Sequence, residues 1–259
     1  LEFYALGAPQ RHGQNLYKQN IAAYSQDYAD GLDSYEEEAE LAYPESDRGR
    51  LYNENWNYVS KYYSAKQWWN GQAHPRFSED IINERENFYH KPQVNVNWYT
   101  QWAENLTQYT ILYYSGGRGG GTGTYGDIEW DYSGPSRVAD WDATIQRNRM
   151  YEADTSLGIL RNSRNNQWTI GGISKLKWKI SEKVTTNFGI DWRTAEIDHF
   201  REVRDLLGGQ YWIKTADAFN PNEKIGLGDK MAYNFTNTVD WIGAYGQAEY
   251  SDDGFSLYG

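Results

Sequence analysis

The stretch "KLKWKISEKVTTNFGIDWRTAEI", Lys175 to Ile197, consists of two strand-like arms joined by a short polar turn. In the first arm, apolar residues alternate with lysines. In the second arm, one set of alternate positions is apolar, comprising Phe188, Ile190 and Trp192. A side-chain period of two predicts a pleated sheet with one apolar and one polar face. The apolar face lies inside in a soluble sandwich and faces lipid in a transmembrane barrel, so this stretch leaves both architectures open.

The composition narrows the class of protein. The 259 residues are 17% aromatic, with 12 Trp and 23 Tyr, although the mean hydropathy is only -0.88. Aromatic rings of this kind gather at interfaces that are dry on one side and wet on the other. The net charge of -11 argues against nucleic acid as a partner. The absence of cysteine excludes disulfides and thiolate metal sites within this sequence.

Seven strand-like runs follow one another along the chain, at about 1–5, 91–101, 107–115, 167–180, 185–203, 237–250 and 255–259. Short connections follow the second, fourth and sixth runs, whereas long ones follow the first, third and fifth, at roughly 6–90, 116–166 and 204–236. Long loops are therefore expected at one end of the sheet and tight turns at the other. Outer-membrane barrels have this asymmetry.

The long loops are predicted to contain short helices at 34–44, 53–71 and 78–88, from capping signals and apolar spacing. Trp168 and Trp241 are expected near the long-loop ends of their strands, and Trp98, Trp102 and Trp178 near the short-turn ends. These positions match the two aromatic belts of a membrane barrel, although core tryptophans of a sandwich are the alternative.

No catalytic or metal motif stands out in the sequence. "GTGTYG" fits the glycine spacing of a dinucleotide loop, but the residues after it do not favour a helix, so we interpret 115–126 as a loop at the rim. The four histidines are far apart, and no pair of carboxylates is distinguished from the rest. We therefore expect no enzymatic activity, no cofactor and no metal.

Four longer strings resemble the barrel of TonB-dependent outer-membrane receptors of the Bacteroidetes type. They are "GAPQRHGQNLYKQNIAAYS" (7–25), "ENFYHKPQVNVNW" (86–98), "YYSGGRGGGTG" (113–123) and "GIDWRTAEIDHFREVRDLLGG" (189–209). The resemblance implies an outer-membrane barrel of about 22 strands with a plugged lumen, of which residues 1–259 would form about seven. It also implies energised uptake of a siderophore, saccharide or peptide. The partners it implies are TonB, through an N-terminal part not present here, and a surface lipoprotein.

The fold expected is thus all-β: an antiparallel transmembrane β-barrel segment, internal to a longer chain, with long extracellular loops. Outer-membrane lipid is the expected partner of one face, which carries Leu176, Trp178, Phe188, Ile190 and Trp192. The loop tryptophans are expected either to bind a ligand or to pack the loops against one another. The proposed ligand contacts are Trp68, Trp69, Trp130 and Trp141. A passive porin-like barrel and a soluble carbohydrate-binding or carbohydrate-cleaving β-protein remain the alternatives.

Overall fold

The computed structural model describes residues 1–15, 17–35, 47–134 and 136–259. The fold is almost entirely antiparallel β. Its strands are β1 (Glu2–Leu6), β2 (Gln10–Gly13), β3 (Trp56–Tyr58), β4 (Gln67–Trp69), β5 (Gln72–His74), β6 (Ile81–Asn83), β7 (Glu86–His90), β8 (Gln93–Ala103), β9 (Leu106–Gly126), β10 (Trp130–Asp131), β11 (Val138–Ala139), β12 (Gly158–Lys179), β13 (Val184–Asp205), β14 (Trp212–Lys214), β15 (Glu223–Ile225), β16 (Lys230–Asp252) and β17 (Phe255–Tyr258). The α-helices of the described residues are α1 (Gln26–Asp30) and α2 (Trp141–Met150), and single 3-10 turns occupy Ile21–Ala23 and Glu152–Asp154.

The main sheet has the strand order β1-β8-β9-β12-β13-β16-β17, and every pair is antiparallel. These are the seven strands predicted from the sequence, and each is a neighbour of the next in chain order. β2 and β7 join the sheet beside the upper part of β9. The sheet is open within the described residues, with β1 and β17 at its edges.

The three short turns lie together at one end of the sheet, as the sequence predicts. The amide N of Lys179 donates to the carbonyl O of Asn105 at 2.8 Å, which joins the first two turns. The amide N of Ser251 donates to the carbonyl O of Lys183 at 2.8 Å, which joins the second to the third. The long connections 7–92, 127–157 and 206–229 all leave the opposite end. The predicted asymmetry is confirmed.

The four central strands β9, β12, β13 and β16 contain 21 to 23 residues each, more than predicted. Their two halves have different surroundings. We call the half next to the short turns the bare half; it comprises 93–115, 167–197 and 235–258, and most of its side chains are partly or fully exposed. We call the other half the covered half; it comprises 116–126, 158–166, 198–205 and 230–234.

Both faces of the covered half are packed against loops. On one face, Leu160 lies in a buried cluster with Val59, Tyr63, Trp141, Ile145 and other residues from the connections. On the other face, Val203 lies in a second buried cluster with Ile159, Ile225 and Met231. The hydrophobic core of this chain is therefore a three-layered structure at the long-loop end, with the sheet as its middle layer.

Three predictions about the loops are wrong. Residues 53–71 and 78–88 form turns and the short strands β3 to β7 instead of helices, because their apolar residues pack onto the sheet from extended segments. The glycine-rich run 115–126 is the upper part of β9 instead of a rim loop. An added Cβ at Gly120 would lie 2.1 Å from the carbonyl O of Ser163, so glycine permits this close approach of strands. The helix predicted at 34–44 lies mostly outside the described residues.

Candidate functional site

The two faces of the bare half differ in charge. Strand register places Leu176 beside Gln108 and Phe188, and Ile190 beside Ser174 and Ala244, so these residues share one face, which we call the Leu176 face. Along β12 from Gly172 to Trp178, and at the positions paired with it across β8, β9, β13 and β16, this face has no charged residue. Charged side chains of the same strands lie on the opposite face, which we call the Lys175 face: Lys175, Lys177, Lys179, Asp191, Arg193 and Glu249.

The predicted alternation is thereby confirmed, including the shared face of Leu176, Trp178, Phe188, Ile190 and Trp192. Four of the five side chains are exposed. Their exposed fractions are 43% for Trp178, 49% for Phe188, 57% for Ile190 and 45% for Trp192. Contiguous exposed apolar surface of this extent indicates that the face is covered by something else, either protein or lipid.

The few polar groups on the Leu176 face bond to one another. Gln108 Nε2 donates to Ser174 Oγ at 2.9 Å, and the hydroxyls of Thr110 and Ser174 are 2.8 Å apart. Trp102 Nε1 donates to Gln108 Oε1 at 2.9 Å. A polar group in an apolar medium is costly unless it is hydrogen-bonded, and here the partners are supplied within the face.

The uncharged band of the Leu176 face, from Gly172 to Trp178, spans about 15 Å along a membrane normal and lies within a longer interval between two tryptophans. Trp168 and Trp178 lie on the same face, ten residues apart on β12. At about 3.3 Å per residue and a strand tilt of about 40°, this span corresponds to about 25 Å along a membrane normal. Beyond Gly172 the same face becomes charged, since Asp240 is paired with Thr194 opposite Ile170 and Glu196 lies opposite Trp168.

One expected belt residue lies on the other face. Register pairs Trp241 with Arg193 on the Lys175 face, and the Arg193 guanidinium is 5.6 Å from the Trp241 ring centroid. Trp98 and Trp178 keep to the Leu176 face. The expectation that Trp241 forms a belt together with Trp168 is therefore wrong, because the two side chains lie on opposite faces of the sheet.

Aromatic rings on the Lys175 face lie over glycines. An added Cβ would be 2.4 Å from Tyr113 Cζ at Gly171 and 2.0 Å from Tyr245 Cε1 at Gly189. Each tyrosine is the direct cross-strand partner of its glycine, so the ring occupies the space that a side chain would need. This face combines flat tyrosines with lysine, asparagine and aspartate side chains, a composition typical of a wet surface.

The candidate ligand tryptophans Trp68 and Trp69 are half-buried in the covered half. Trp68 Nε1 donates to Glu202 Oε2 at 3.2 Å, and the Trp68 carbonyl accepts from Asn162 Nδ2 at 3.1 Å. The Trp69 ring contacts Phe88 edge-on at 4.2 Å between centroids and lies 4.3 Å from the Arg11 guanidinium. Their partners Asn162 and Glu202 belong to the Leu176 face, so these rings attach a loop to the sheet on the side away from the Lys175 face.

The other two candidates also have partners within the loops. Trp141 is fully buried in the cluster with Leu160, so its side chain is not available to a ligand and the expectation that it contacts one is wrong. Trp141 begins α2, whose N-cap Asp140 accepts from the amide of Ala143 at 2.9 Å. Trp130 is half-buried beneath Arg137, whose guanidinium is 3.8 Å from the ring centroid. The structure does not bring the four tryptophans together.

We expect Trp69→Ala to destabilise the loop at 67–90, with little effect on solute binding. The substitution removes one edge-on ring pair and two cation–π contacts, with Arg11 and Arg204, which together stabilise the loop by about 1–3 kcal/mol. Hydrogen exchange of 67–90 measures the change. Trp56→Ala is the matched control, since Trp56 is 46% exposed. Loss of solute binding with unchanged exchange would contradict this expectation.

A buried ionic network, not foreseen from the sequence, holds the same loop. Arg204 Nη2 donates to Glu86 Oε2 at 2.5 Å and to Gln67 Oε1 at 3.0 Å, and Arg11 Nη2 donates to Glu86 Oε1 at 2.8 Å. Gln67 Nε2 donates to Asp205 Oδ2 at 3.0 Å. Burial raises the pKa of Asp205, although bonds from Tyr63 and the Leu207 amide oppose the shift.

A β-bulge in β13 positions Arg204 in this network. Leu160 pairs with Asp205 and Arg161 with Val203, so Arg204 is the extra residue of the bulge. Its partners Gln67 and Glu86 come from β4 and β7. The alternating charges of "REVRD" were the available signal in the sequence, but register and bulge decide which of them is buried. Within the described residues, no three His, Cys, Asp or Glu side chains are arranged to hold a metal ion.

Two cavities lie on or beside the Leu176 face of the covered half. One of about 350 Å³ is lined by Arg11, Trp56, Phe77, Ile81 and Glu86. The other, of about 630 Å³, lies at the border with the bare half and is lined by Tyr114, Trp168, Arg118, Arg164, Glu196 and Asp198. Both cavities are lined by charged side chains together with aromatic rings.

Comparison with known proteins finds no matching family model, no matching curated protein and no matching solved structure. Among the described residues, none of the helices has the length and apolar character needed to span a membrane.

Proposed function

We propose that this sheet forms part of the wall of a transmembrane β-barrel in the bacterial outer membrane, with the Leu176 face toward lipid and the Lys175 face toward the lumen. The observation that carries the proposal is the segregation of charge. Over about 15 Å, from the level of Gly172 to that of Trp178, the Leu176 face has no charged group, while the same strands carry Lys175, Lys177 and Asp191 on the other face.

The end asymmetry supports the same orientation. Tight turns at one end and loops of more than 20 residues at the other are typical of the periplasmic and extracellular sides of such barrels. A bilayer requires pairing of the backbone groups of every spanning strand, so the proposal requires further strands beside β1 and β17.

We further propose that the barrel belongs to a TonB-dependent receptor that takes up a nutrient without chemical conversion. Support comes from the resemblance of residues 7–25, 86–98, 113–123 and 189–209, and from loops that are folded and internally bonded. The solute would meet the Lys175 face, which is the lumen side in this orientation, instead of Trp68 and Trp69.

Solute accumulation by cells carrying the intact receptor tests this function. Accumulation is expected to require TonB, whereas surface binding of the solute is expected to persist without it. Accumulation that is independent of TonB would indicate a passive porin-like barrel. Recovery of the protein in the aqueous fraction after carbonate extraction of envelopes would contradict the membrane assignment and favour a soluble β-protein.

A further inference from the structure

Three arginines converge on the Lys175 face in the covered half. Glycines at 121 and 123 leave part of β9 without side chains on this face. A Cβ built on Gly123 would lie 2.8 Å from Arg85 Nη1 and 3.0 Å from Arg161 Nη2, so both guanidinium groups reach over this glycine. They therefore lie within about 6 Å of each other, where like charges repel.

Arg201 joins them through a serine. Arg161 Nη1 donates to Ser163 Oγ at 2.9 Å, and Arg201 Nε lies 3.4 Å from the same oxygen. Two tyrosines hold Arg201 in place, with its guanidinium 4.9 Å from the Tyr233 ring centroid and 5.7 Å from that of Tyr125. All three arginines are half-buried, so they are fixed by their surroundings and still reachable from solvent.

The cluster lacks carboxylates to balance its charge. The nearest one that forms an ion pair with it is Glu84, which is bound to Arg85 at 3.1 Å and shared with Arg137 at 3.7 Å. Within the described residues, Arg161 and Arg201 have no carboxylate within 4.0 Å, and Arg161 Nε has no hydrogen-bond partner. Burial, followed by the charges of Arg201 and Arg85, lowers the pKa of Arg161 to about 10. Such an excess of positive charge is unexpected in a chain of net charge -11.

We propose that Arg85, Arg161 and Arg201 bind an oxyanion of the phosphate or sulfate type, carried by a solute that enters from the long-loop end. A guanidinium presents fixed N–H donors that match oxyanion geometry, and a doubly charged group would relieve the repulsion among the three arginines. The proposal deepens the proposed function, on which the placement of the cluster at the mouth of the lumen rests.

Titration calorimetry of the intact protein in detergent, with inorganic phosphate and inorganic sulfate as probes, tests the site. We expect saturable binding that weakens as NaCl is raised, and at least a tenfold loss of affinity in Arg161→Gln and in Arg201→Gln. Arg193→Gln is the matched control, since Arg193 lies on the same face of β13 and is remote from the cluster; its affinity is expected to be unchanged.

Arg161→Lys distinguishes loss of the site from misfolding, because it keeps the positive charge and removes only the planar guanidinium group. This variant is expected to bind with intermediate affinity. No saturable binding, or equal affinity in Arg161→Gln and Arg193→Gln, would overturn the proposal. The detergent assay does not depend on which face meets lipid, so failure here is distinguishable from failure of the membrane assignment.

Discussion

Arg204→Ala is expected to reduce the free energy of opening of the covered half by about 3–5 kcal/mol. The guanidinium is almost fully buried and binds Glu86 and Gln67 at once. Its removal leaves the Glu86 carboxylate, itself largely buried, with Arg11 as its remaining ionic partner, and leaves the Gln67 oxygen without a donor. Loss of one partner from a buried ionic network is among the most destabilising defects that a single substitution produces.

Native-state hydrogen exchange of the intact protein measures this effect, with residues 67–90 and 198–205 as the reporting segments. The matched control is Arg193→Ala, because Arg193 is exposed and its described contact is with the Trp241 ring. The control is expected to change the opening free energy by less than about 0.5 kcal/mol. Equal effects of the two substitutions would show that the ionic network does not hold the covered half.

Ile190→Arg is expected to cost about 2–4 kcal/mol in the free energy of folding into a bilayer. Ile190 lies near the middle of the uncharged band, where an arginine would face hydrocarbon. Asn187→Arg places the same side chain on the Lys175 face of the same strand, where water and charged neighbours are expected, and Lys177→Arg conserves the charge there.

Urea titration of folding into lipid vesicles measures the three variants against the parent protein. The two Lys175-face variants are expected to fold with free energies within about 1 kcal/mol of the parent. If Ile190→Arg were tolerated as well as Asn187→Arg, the orientation of the two faces would be wrong.

The strand framework could be predicted because side-chain alternation survives in every central strand. The alternation at 175–193 gave the shared face of Leu176 and Ile190, and the spacing of turns gave the order of the seven strands. These are local properties, since the period of two depends only on the strand and the tight turns depend on adjacent residues.

The covered half could not be predicted, because its structure depends on contacts distant in sequence. Val59 and Tyr63 have helical spacing and are core residues, but they reach the core from a turn between short strands. Helix α2 has only Trp141 and Ile145 as buried apolar residues. Its usable signals were the cap Asp140 and the basic residues Arg147 and Arg149 in the last turn.

The candidate site was predicted only in part for the same reason. Large aromatics in loops drew attention to Trp68 and Trp69, whose partners turn out to be Glu202, Phe88 and Arg11. The arginine cluster of the Lys175 face combines residues 85, 161 and 201 from three separate strands or turns, and no spacing in the sequence indicates their proximity.

Site-directed spin labelling at each position from 187 to 192 of the intact protein in lipid vesicles tests the central claim most directly. The collision rate of each label with oxygen, which is concentrated in hydrocarbon, is compared with that of a water-soluble nickel chelate. The account predicts that oxygen dominates at 188, 190 and 192 and the chelate at 187, 189 and 191. The opposite alternation, or uniform access of the chelate at all six positions, would contradict a lipid-facing Leu176 face.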